Sequence, residues 1–303
     1  MTDLIDFQHD LAGVRIGAGT NVVIRKLQGI GLPDKRTNDI EPAGEDGLWP
    51  GADQYGGRLV RIDCAVRCPG DPAAALDLLA ELQEHADPDG VRLAAGETVE
   101  LRLKYPGRGV RMLRGRLRKA EEDQEQLIHG WLPIDVEFMA TDPTLYGDQP
   151  EQTKIRLGSV STGGFSAPVV APVVTAAVST GVPPGTVVNP GTAPTWPVLR
   201  IDGPCTNPVI THIESGRSIG LGPLTLLAGQ WVEIDTRPGW RTVLNDGGGN
   251  MATLLRWGDR IDEFAIPPGR SRLQFDAVDP TNTALLTATW WPAWRTLRKE
   301  QTR

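Results

Sequence analysis

The residue types that most often perform catalysis or bind metals are few in this sequence and widely separated. No histidine has a second histidine four residues away, the spacing that places two zinc ligands on one helix face. Cys64 and Cys68 would lie about 13 Å apart on one face of a strand, too far for a disulfide. The pattern predicts buried free thiols, with neither a disulfide nor a metal site. The residues concerned are His9, His85, His129, His212, Cys64, Cys68 and Cys205.

Patterns typical of other enzyme sites are also incomplete. The stretch "GAGTNVV", with Gly17 and Gly19, lacks the third glycine and the helix of a dinucleotide fingerprint. No G-x-S-x-G nucleophile elbow is present, and "GSVSTGG" is only superficially similar to one. Asp259 and Asp262 are a carboxylate pair of a kind common on turns, and "DPDGV" and "NDGGGN" do not follow the twelve-residue calcium loop. We therefore predict no enzymatic activity and no cofactor.

Composition favours a two-domain protein built mainly from strands. A chain of 303 residues exceeds the usual size of one domain, and its 35 glycines and 25 prolines favour turns and short strands over long helices. A formal net charge of −7 disfavours binding to nucleic-acid phosphates. The N-terminus "MTDLIDFQHD" lacks the pattern of a signal peptide, and no apolar window is long enough to span a membrane, so we expect folding in the cytoplasm.

Three segments follow one another, with predicted boundaries at 1–156, 157–195 and 196–303. The middle segment carries no charge and is rich in Val, Pro, Gly and Thr. Its prolines exclude a helix and its valines favour extended backbone. Two interpretations stay open, a flexible linker or an arm that lies as strands against a neighbouring subunit.

The first segment mixes strands with one helix. "NVVIRKLQGI" and "GRLVRIDCAVRC" alternate as strands do, and a long loop over 29–56 lies between them. A helix is predicted to begin after the N-cap Asp71, with Pro72 in its first turn. Leu76, Leu79 and Leu82 would form its apolar face and cover a sheet.

Basic residues are concentrated in the next predicted hairpin, which turns at "PGRG". Between Arg102 and Lys119 there are eight basic and no acidic residues, and an acidic run then begins at Glu121. Such a hairpin could contact the acidic end of a second copy, as in rings of identical subunits, or it could be a solvated strand face. The candidate subunit-contact residues are Arg102, Lys104, Arg111, Arg114, Arg116 and Arg118.

The third segment predicts an antiparallel β-sandwich, because short strands recur between Gly, Pro and Asp turns. "GRSIGL" and "LAGQWVEIDT" are expected to form a hairpin and its continuation. Exposed tryptophans on a sandwich can stack on sugars, whereas buried ones belong to the core or to a subunit contact. Adjacent Trp290 and Trp291 must point to opposite faces. The candidate surface or interface aromatics are Trp240, Trp257, Trp290, Trp291 and Trp294.

The order of several motifs resembles a known family. "TWPVLRIDGPCTNPVITH", "LAGQWVEIDTRPG", "VLNDGGGNMATLL", "FAIPPGRSRLQFDA" and "TATWWPAW" together resemble the C-terminal galectin-like sandwich of siphophage distal tail proteins. "LVRIDCAVRC", "PAAALDLLAEL" and "FMATDPTLYG" are similar to the ring-forming domain of the same family. The resemblance implies a mainly β fold, with an N-terminal α+β ring domain of β-sheets and one helix followed by a galectin-like antiparallel β-sandwich.

The same resemblance implies a structural role in the virion. A distal tail protein of this kind, a minor tail protein at the baseplate hub, forms a hexameric ring at the end of a long non-contractile tail. The ring would join the tail tube to the adhesion device and leave a channel for DNA ejection.

The implied partners are other copies of the chain, the tail tube protein, the tape measure protein and tail-associated or receptor-binding proteins. DNA would pass without specific binding, and a host glycan would be a weak partner. The alternative function is that of a carbohydrate-binding β-sandwich module.

Overall fold

The computed structural model describes residues 3–44, 46–157 and 184–299. The chain forms two compact units: the first is Met1–Pro150, Pro190–Pro194 and Trp291–Arg303, and the second is Glu151–Asn189 and Thr195–Trp290. The predicted domain ranges 1–156, 157–195 and 196–303 remain predictions, and the compact units differ from them in assigning Trp291–Arg303 to the first unit.

In the described residues, strands make up most of the elements, with one long helix and a long segment between β4 and β5. The bounds up to the end of the tenth strand are β1 Gln8–Leu11, β2 Val14–Gly17, β3 Val22–Gln28, β4 Lys35–Arg36, β5 Gln54–Tyr55, β6 Arg58–Arg67, α1 Pro72–Ala86, α2 Asp89–Arg92, β7 Val99–Leu103, β8 Arg111–Glu122, β9 Trp131–Ala140 and β10 Leu145–Gly147. They continue with β11 Glu151–Arg156, β12 Thr186–Asn189, β13 Val198–Asp202, β14 Cys205–His212, β15 Arg217–Gly220, β16 Thr225–Leu226, β17 Trp231–Asp235, β18 Thr242–Asn245, β19 Gly269–Val278, β20 Leu285–Trp290 and β21 Ala293–Trp294. The predicted mainly β fold is confirmed.

The first unit is built on a nine-stranded antiparallel sheet in the order β2-β1-β7-β8-β9-β6-β3, with β10 paired to β8 and β21 paired to β10. Alternation along β6 is as the sequence predicts, because Val60, Ile62 and Cys64 are buried in one core while Arg61 is exposed. One face of the sheet therefore supplies the core of this unit.

Helix α1 covers that core and begins where the sequence predicts. The Asp71 carboxylate accepts a hydrogen bond from the Ala74 amide at 3.0 Å, so it caps the helix. Leu79 and Leu82 are buried as expected, but Leu76 is exposed, which corrects the predicted apolar face. The buried stripe is completed by small alanines one turn away, so Leu76 falls at its margin.

The second unit consists of two five-stranded antiparallel sheets, β11-β20-β13-β17-β18 and β12-β19-β14-β15 with β16 on β14. Leu199, Val232 and Leu286 of one sheet share a single core with Ile210 and Phe275 of the other. This is the packing of a sandwich. Among residues 3–44, 46–157 and 184–299, no helix has the length and apolarity to cross a membrane.

Two details of this unit bear on the sequence predictions. The expected hairpin of "GRSIGL" with "LAGQWVEIDT" is wrong: β15 pairs with β14, whereas β17 pairs with β13 and β18 in the other sheet. The turn-rich segment between them carries the chain from one sheet to the other. Most of the uncharged segment, 158–183, lies outside the described residues, but its end forms β12 against β19 of the same chain.

The last described strand returns to the first sheet, where β21 pairs with β10. Trp294 is only 2% exposed, and the Arg111 guanidinium lies 3.3 Å from its ring centroid. Arg58 is also buried; it donates hydrogen bonds to the Pro143 carbonyl at 2.8 Å and to the Arg295 carbonyl at 3.2 Å. Two buried cations thus depend on the C-terminal segment for a cation–π contact and an acceptor.

Replacing Trp294 should therefore destabilise the first unit strongly. We expect Trp294→Ala to lower its free energy of unfolding by about 3–5 kcal/mol, because a large buried side chain is lost and a cavity remains beside a buried guanidinium. Urea unfolding followed by circular dichroism measures the change. The fully exposed Trp257 provides a matched control, since Trp257→Ala should stay within about 0.5 kcal/mol of the unsubstituted chain. Equal losses for the two variants would contradict this account.

Candidate functional site

The basic hairpin, residues 102–119, is formed by β7 and β8 as the sequence predicts. Leu103 pairs with Arg111 next to the turn, and Val99 pairs with Gly115. Strand β8 runs for 12 residues, about 40 Å, so it separates the turn from the acidic residues at its far end.

Two of the six candidate cations lie inside the first unit. Arg102 is buried and forms a bidentate ion pair with Asp148. Arg111 is buried against Trp294. Neither guanidinium is positioned to face a second copy, because each is held by a partner that lies well after the hairpin in the chain.

Two further cations of the set, Lys104 and Arg114, are partly exposed and already have partners. Lys104 Nζ donates to the Arg108 carbonyl at 2.6 Å. Arg114 lies 3.6 Å from Glu100 and over the ring of Trp291 at 5.3 Å from its centroid. These contacts fix the side chains along the strand. They leave part of each cation open to solvent.

The remaining two cations are Arg116 and Arg118. Arg116 Nε donates to the Glu97 carbonyl at 2.8 Å. Arg118 sits where the pairing of β8 with β9 shifts register, between Leu117 and Lys119, and it is exposed. Within the part of the chain that the structure describes, Arg118 makes no ion pair, so it is the cation of the set most available to another molecule.

Acidic residues from three neighbouring strands form a row at the far end of β8. Glu121 pairs directly with Asp135, and Asp135 pairs directly with Asp63. Like charges in such positions repel each other, and the flanking cations offset this: Arg25 lies 2.8 Å from Asp63, and Lys119 contacts both Glu121 and Asp135. The row lines an open groove of about 560 Å³.

The candidate aromatic residues divide by burial. Trp290 donates its indole N–H to the Val188 carbonyl at 2.9 Å and is buried in the core of the second unit. Trp294 is buried in the first unit. The prediction that these two are surface residues is corrected: Trp290 faces the core from a strand paired on both sides, and the Trp294 ring is covered by the Arg111 guanidinium.

The other three tryptophans of the set reach the surface to different extents. Trp291 is half-buried beside Arg114, as expected for the neighbour of an inward Trp290. Trp240 is 42% exposed and lies under the guanidinium of Arg237 at 5.2 Å. Trp257 is fully exposed, at 101% of its reference area.

The cysteines are placed as structural residues. All three are free and buried. Burial raises the pKa of the Cys64 thiol to about 12 and that of Cys205 to about 11. Both thiols therefore stay protonated at neutral pH and lack the thiolate that nucleophilic catalysis requires.

Histidines and acidic residues likewise form no recognisable centre. In the described ranges, no group of three or more His, Cys, Asp and Glu side chains could hold a metal ion. His212 is buried, and its Nδ1 accepts a hydrogen bond from the Ser215 amide at 3.2 Å. Burial lowers its pKa, so it is a neutral part of the second core.

Arg58 and Asp148 were missed by sequence reasoning. Each residue follows a polar or turn-forming stretch, which normally indicates exposure to solvent. The residues that each one contacts lie far away in the sequence, so local patterns could not predict its burial. One feature of the sequence could have indicated buried cations. The predicted strands carry many basic residues between apolar residues that are expected to be buried. That pattern indicates that some cations need internal acceptors.

Comparisons with known proteins found matches only at the level of structure; no protein-family model and no curated protein matches the sequence. A crystal structure described as "SPP1 Dit (gp 19.1) Protein, a Paradigm of Hub Adsorption Apparatus in Gram-positive Infecting Phages" aligns with a TM-score of 0.59 over 93% of this chain and 97% of that chain, at 14% identity. The chain has the fold of this phage hub protein. The resemblance predicted from the sequence is thus confirmed at the level of the fold.

A second match agrees with the hub fold. A chain of the phage P2 baseplate in its activated conformation with Ca aligns with a TM-score of 0.52 over 89% of this chain and 91% of that chain, at 12% identity. The same baseplate with Sr gives a TM-score of 0.50 at 12% identity. In each case the alignment includes most of both chains, so the hub fold extends through both compact units.

One titratable group at the base of the basic hairpin yields a pH prediction. His9 is buried, its Nδ1 accepts a hydrogen bond from the Lys104 amide at 3.2 Å, and burial lowers its pKa from 6.5 to about 4. Between these values the unfolded chain binds a proton that the folded chain does not. The stability that comes from keeping His9 neutral is therefore complete above pH 6.5 and is lost as pH falls towards 4.

The free energy of unfolding should decrease between pH 6.5 and about pH 4, and we expect this decrease to be smaller in His9→Gln. The matched control is His85→Gln, because His85 is exposed at the end of α1. Chemical denaturation at a series of pH values measures both slopes. Unchanged slopes in His9→Gln would disprove the assignment.

Proposed function

We propose that this chain is a structural protein of a phage tail, a distal tail protein that assembles into a hexameric ring. The observation that carries the proposal is the structural alignment with a phage hub protein over 93% of this chain and 97% of the other. Both units take part in it, which a shared sandwich alone would not produce. The ring would join the tail tube and tape measure protein to the adhesion or receptor-binding proteins of a long non-contractile tail.

The first unit has two features that suit contacts between copies. Strands β2 and β3 end the main order of the nine-stranded sheet and contact each other, so only the parts of their edges outside that contact can pair with another chain. The exposed Arg118 lies three residues before Glu121 on β8, so this cation and the acidic row of Glu121, Asp135 and Asp63 share one end of the sheet. In the proposed ring, these charges would meet opposite charges of a neighbouring copy.

The charge of the chain is compatible with the passage of DNA through such a ring. A net charge of −7 gives an assembly whose surfaces repel phosphates on average. DNA would then pass without being held. In this proposal the protein belongs to the virion and is made in the host cytoplasm.

A structural role also agrees with the chemistry of the potential nucleophiles. The Cys64 and Cys205 thiols are buried with raised pKa values, and the buried histidines are neutral. Carbohydrate binding by the sandwich is the second candidate function. The observation that favours it is the fully exposed Trp257, and it is compatible with a place at the tail tip.

The ring proposal predicts a defined oligomer in solution. Mass photometry and negative-stain microscopy of the full chain should find six-membered rings, and a chain that stays monomeric at high concentration would refute the proposal.

Charge pairing between copies adds a second prediction. Arg118→Glu should shift the assembly towards smaller species and leave the stability of the monomer unchanged, because Arg118 is exposed and has no ion pair within the described residues. Arg67→Glu is the matched control, an exposed cation at the end of β6. Rings should also weaken as salt is raised. Rings that are unaffected by Arg118→Glu would exclude this residue from the contact while leaving the ring itself intact.

A further inference from the structure

Trp257 is the most exposed large apolar side chain of the described residues, at 101% of its reference area. Among the described residues, its side chain has no hydrogen bond and no aromatic or cation–π partner. An indole left wholly in water near the edge of a sandwich contributes nothing to the core. The chain nevertheless holds this residue in a defined position.

The turn that carries Trp257 is fastened on both sides. The Arg256 amide donates to the Gly220 carbonyl at 3.0 Å, and the Asp259 amide donates to the Arg256 carbonyl at 3.1 Å, which closes a β-turn. Gly258 occupies the third position of this turn with φ of +92°, a conformation that suits glycine.

Asp259 locks the turn onto the edge strand β15. Its carboxylate accepts a hydrogen bond from the Gly220 amide at 2.7 Å and another from the Ser218 hydroxyl at 3.4 Å. The Arg256 side chain packs over Gly220, where a Cβ would come within 2.5 Å of Arg256 Cδ. The indole is thus presented on a preorganised support, and little conformational entropy remains to be lost on binding.

The size of this aromatic surface indicates what can bind it. A tryptophan buries about 150–250 Å² when it is covered, whereas a stable protein contact buries about 800 Å² on each partner. In the segment 254–263 around Trp257 no second large apolar side chain is exposed. One tryptophan ring face matches one sugar ring in area.

The charged side chains that follow Trp257 in the sequence suit sugar hydroxyls. Arg260, three residues after Trp257, pairs with Asp262 at 2.7 Å and with Glu263 at 3.0 Å, and its side chain is 61% exposed. Guanidinium and carboxylate groups on a surface retain donors and acceptors for further hydrogen bonds. We propose that Trp257 is the stacking platform of a carbohydrate site that takes the apolar face of a pyranose, with Arg260 and Asp262 at its polar side. This site does not depend on ring formation.

Fluorine NMR of the full chain labelled with 5-fluorotryptophan tests the proposal. The probes are glucose, galactose, N-acetylglucosamine and N-acetylgalactosamine, each as monomer and short oligomer. We expect the Trp257 resonance, assigned by its absence in Trp257→Phe, to move on titration with at least one probe. Trp257→Ala should weaken that binding at least about tenfold, or about 1.4 kcal/mol, as measured by calorimetry.

Two matched controls separate stacking from general effects. Trp240→Ala removes another exposed tryptophan of the same unit and should leave the affinity unchanged. Gly258→Ala keeps the indole but strains its turn and should weaken binding, whereas Gly248→Ala, at φ of +76° in another turn, should not. Neither glycine has a neighbour within 4 Å of an added Cβ, so the effect is one of backbone conformation.

The proposal is overturned if no probe moves the Trp257 resonance up to its solubility limit, or if Trp257→Ala binds as the unsubstituted chain does. A Trp257 resonance that moves with protein concentration alone would also overturn it in favour of a protein contact. Ring formation is measured on the same samples. Rings without sugar binding disprove only this site, and sugar binding by a monomer disproves only the ring.

Discussion

Burial of two guanidinium groups constrains the whole first unit. Arg58 and Arg111 lie inside it, where an unsatisfied cation would be very costly. Their partners include the Arg295 carbonyl and the Trp294 ring, from the last described segment of the chain. The first unit is therefore complete only when the C-terminus has returned to it. Since β10 and β21 pair directly, the chain leaves for the second unit and, apart from the short return at Pro190–Pro194, comes back at a neighbouring point of the same sheet. Such connections are typical of an inserted domain.

Features set by neighbours in the chain were predictable from the sequence. Alternation predicts the buried face of β6, and an N-cap followed by proline predicts the start of α1. The strand-only character of the second unit also followed from its turn residues. Strand pairing was predictable for the hairpin of β7 and β8 but not for β15 and β17. A turn that reverses the chain within a sheet and one that crosses to the opposite sheet have similar compositions.

The candidate residues show where local patterns stop being informative. Alternation places Arg102 on the polar face of its strand and Arg111 next to a turn, so both side chains are expected to be exposed to solvent. Both are buried instead, because Asp148 lies against Arg102 and Trp294 lies against Arg111. For Trp290 and Trp291 the opposite faces could be predicted, but which face is the core could not. Exposure of Trp257 follows from a turn anchored by Asp259, a contact made across 39 residues of sequence. Long-range partners decide each of these cases.

The two proposals fit together through the energetics of repeated weak sites. A single aromatic platform with a few polar neighbours binds one sugar weakly, because the area covered is small and the hydroxyls must give up water. Copies held in one ring would engage a repeating polysaccharide at several points, and each later contact would form at a high effective concentration. A rigid site is an advantage when several weak sites bind one polysaccharide. A flexible site would lose part of the gain in affinity, because its side chain must be ordered at every contact. A turn locked by Asp259 and Gly258 meets this requirement with few residues.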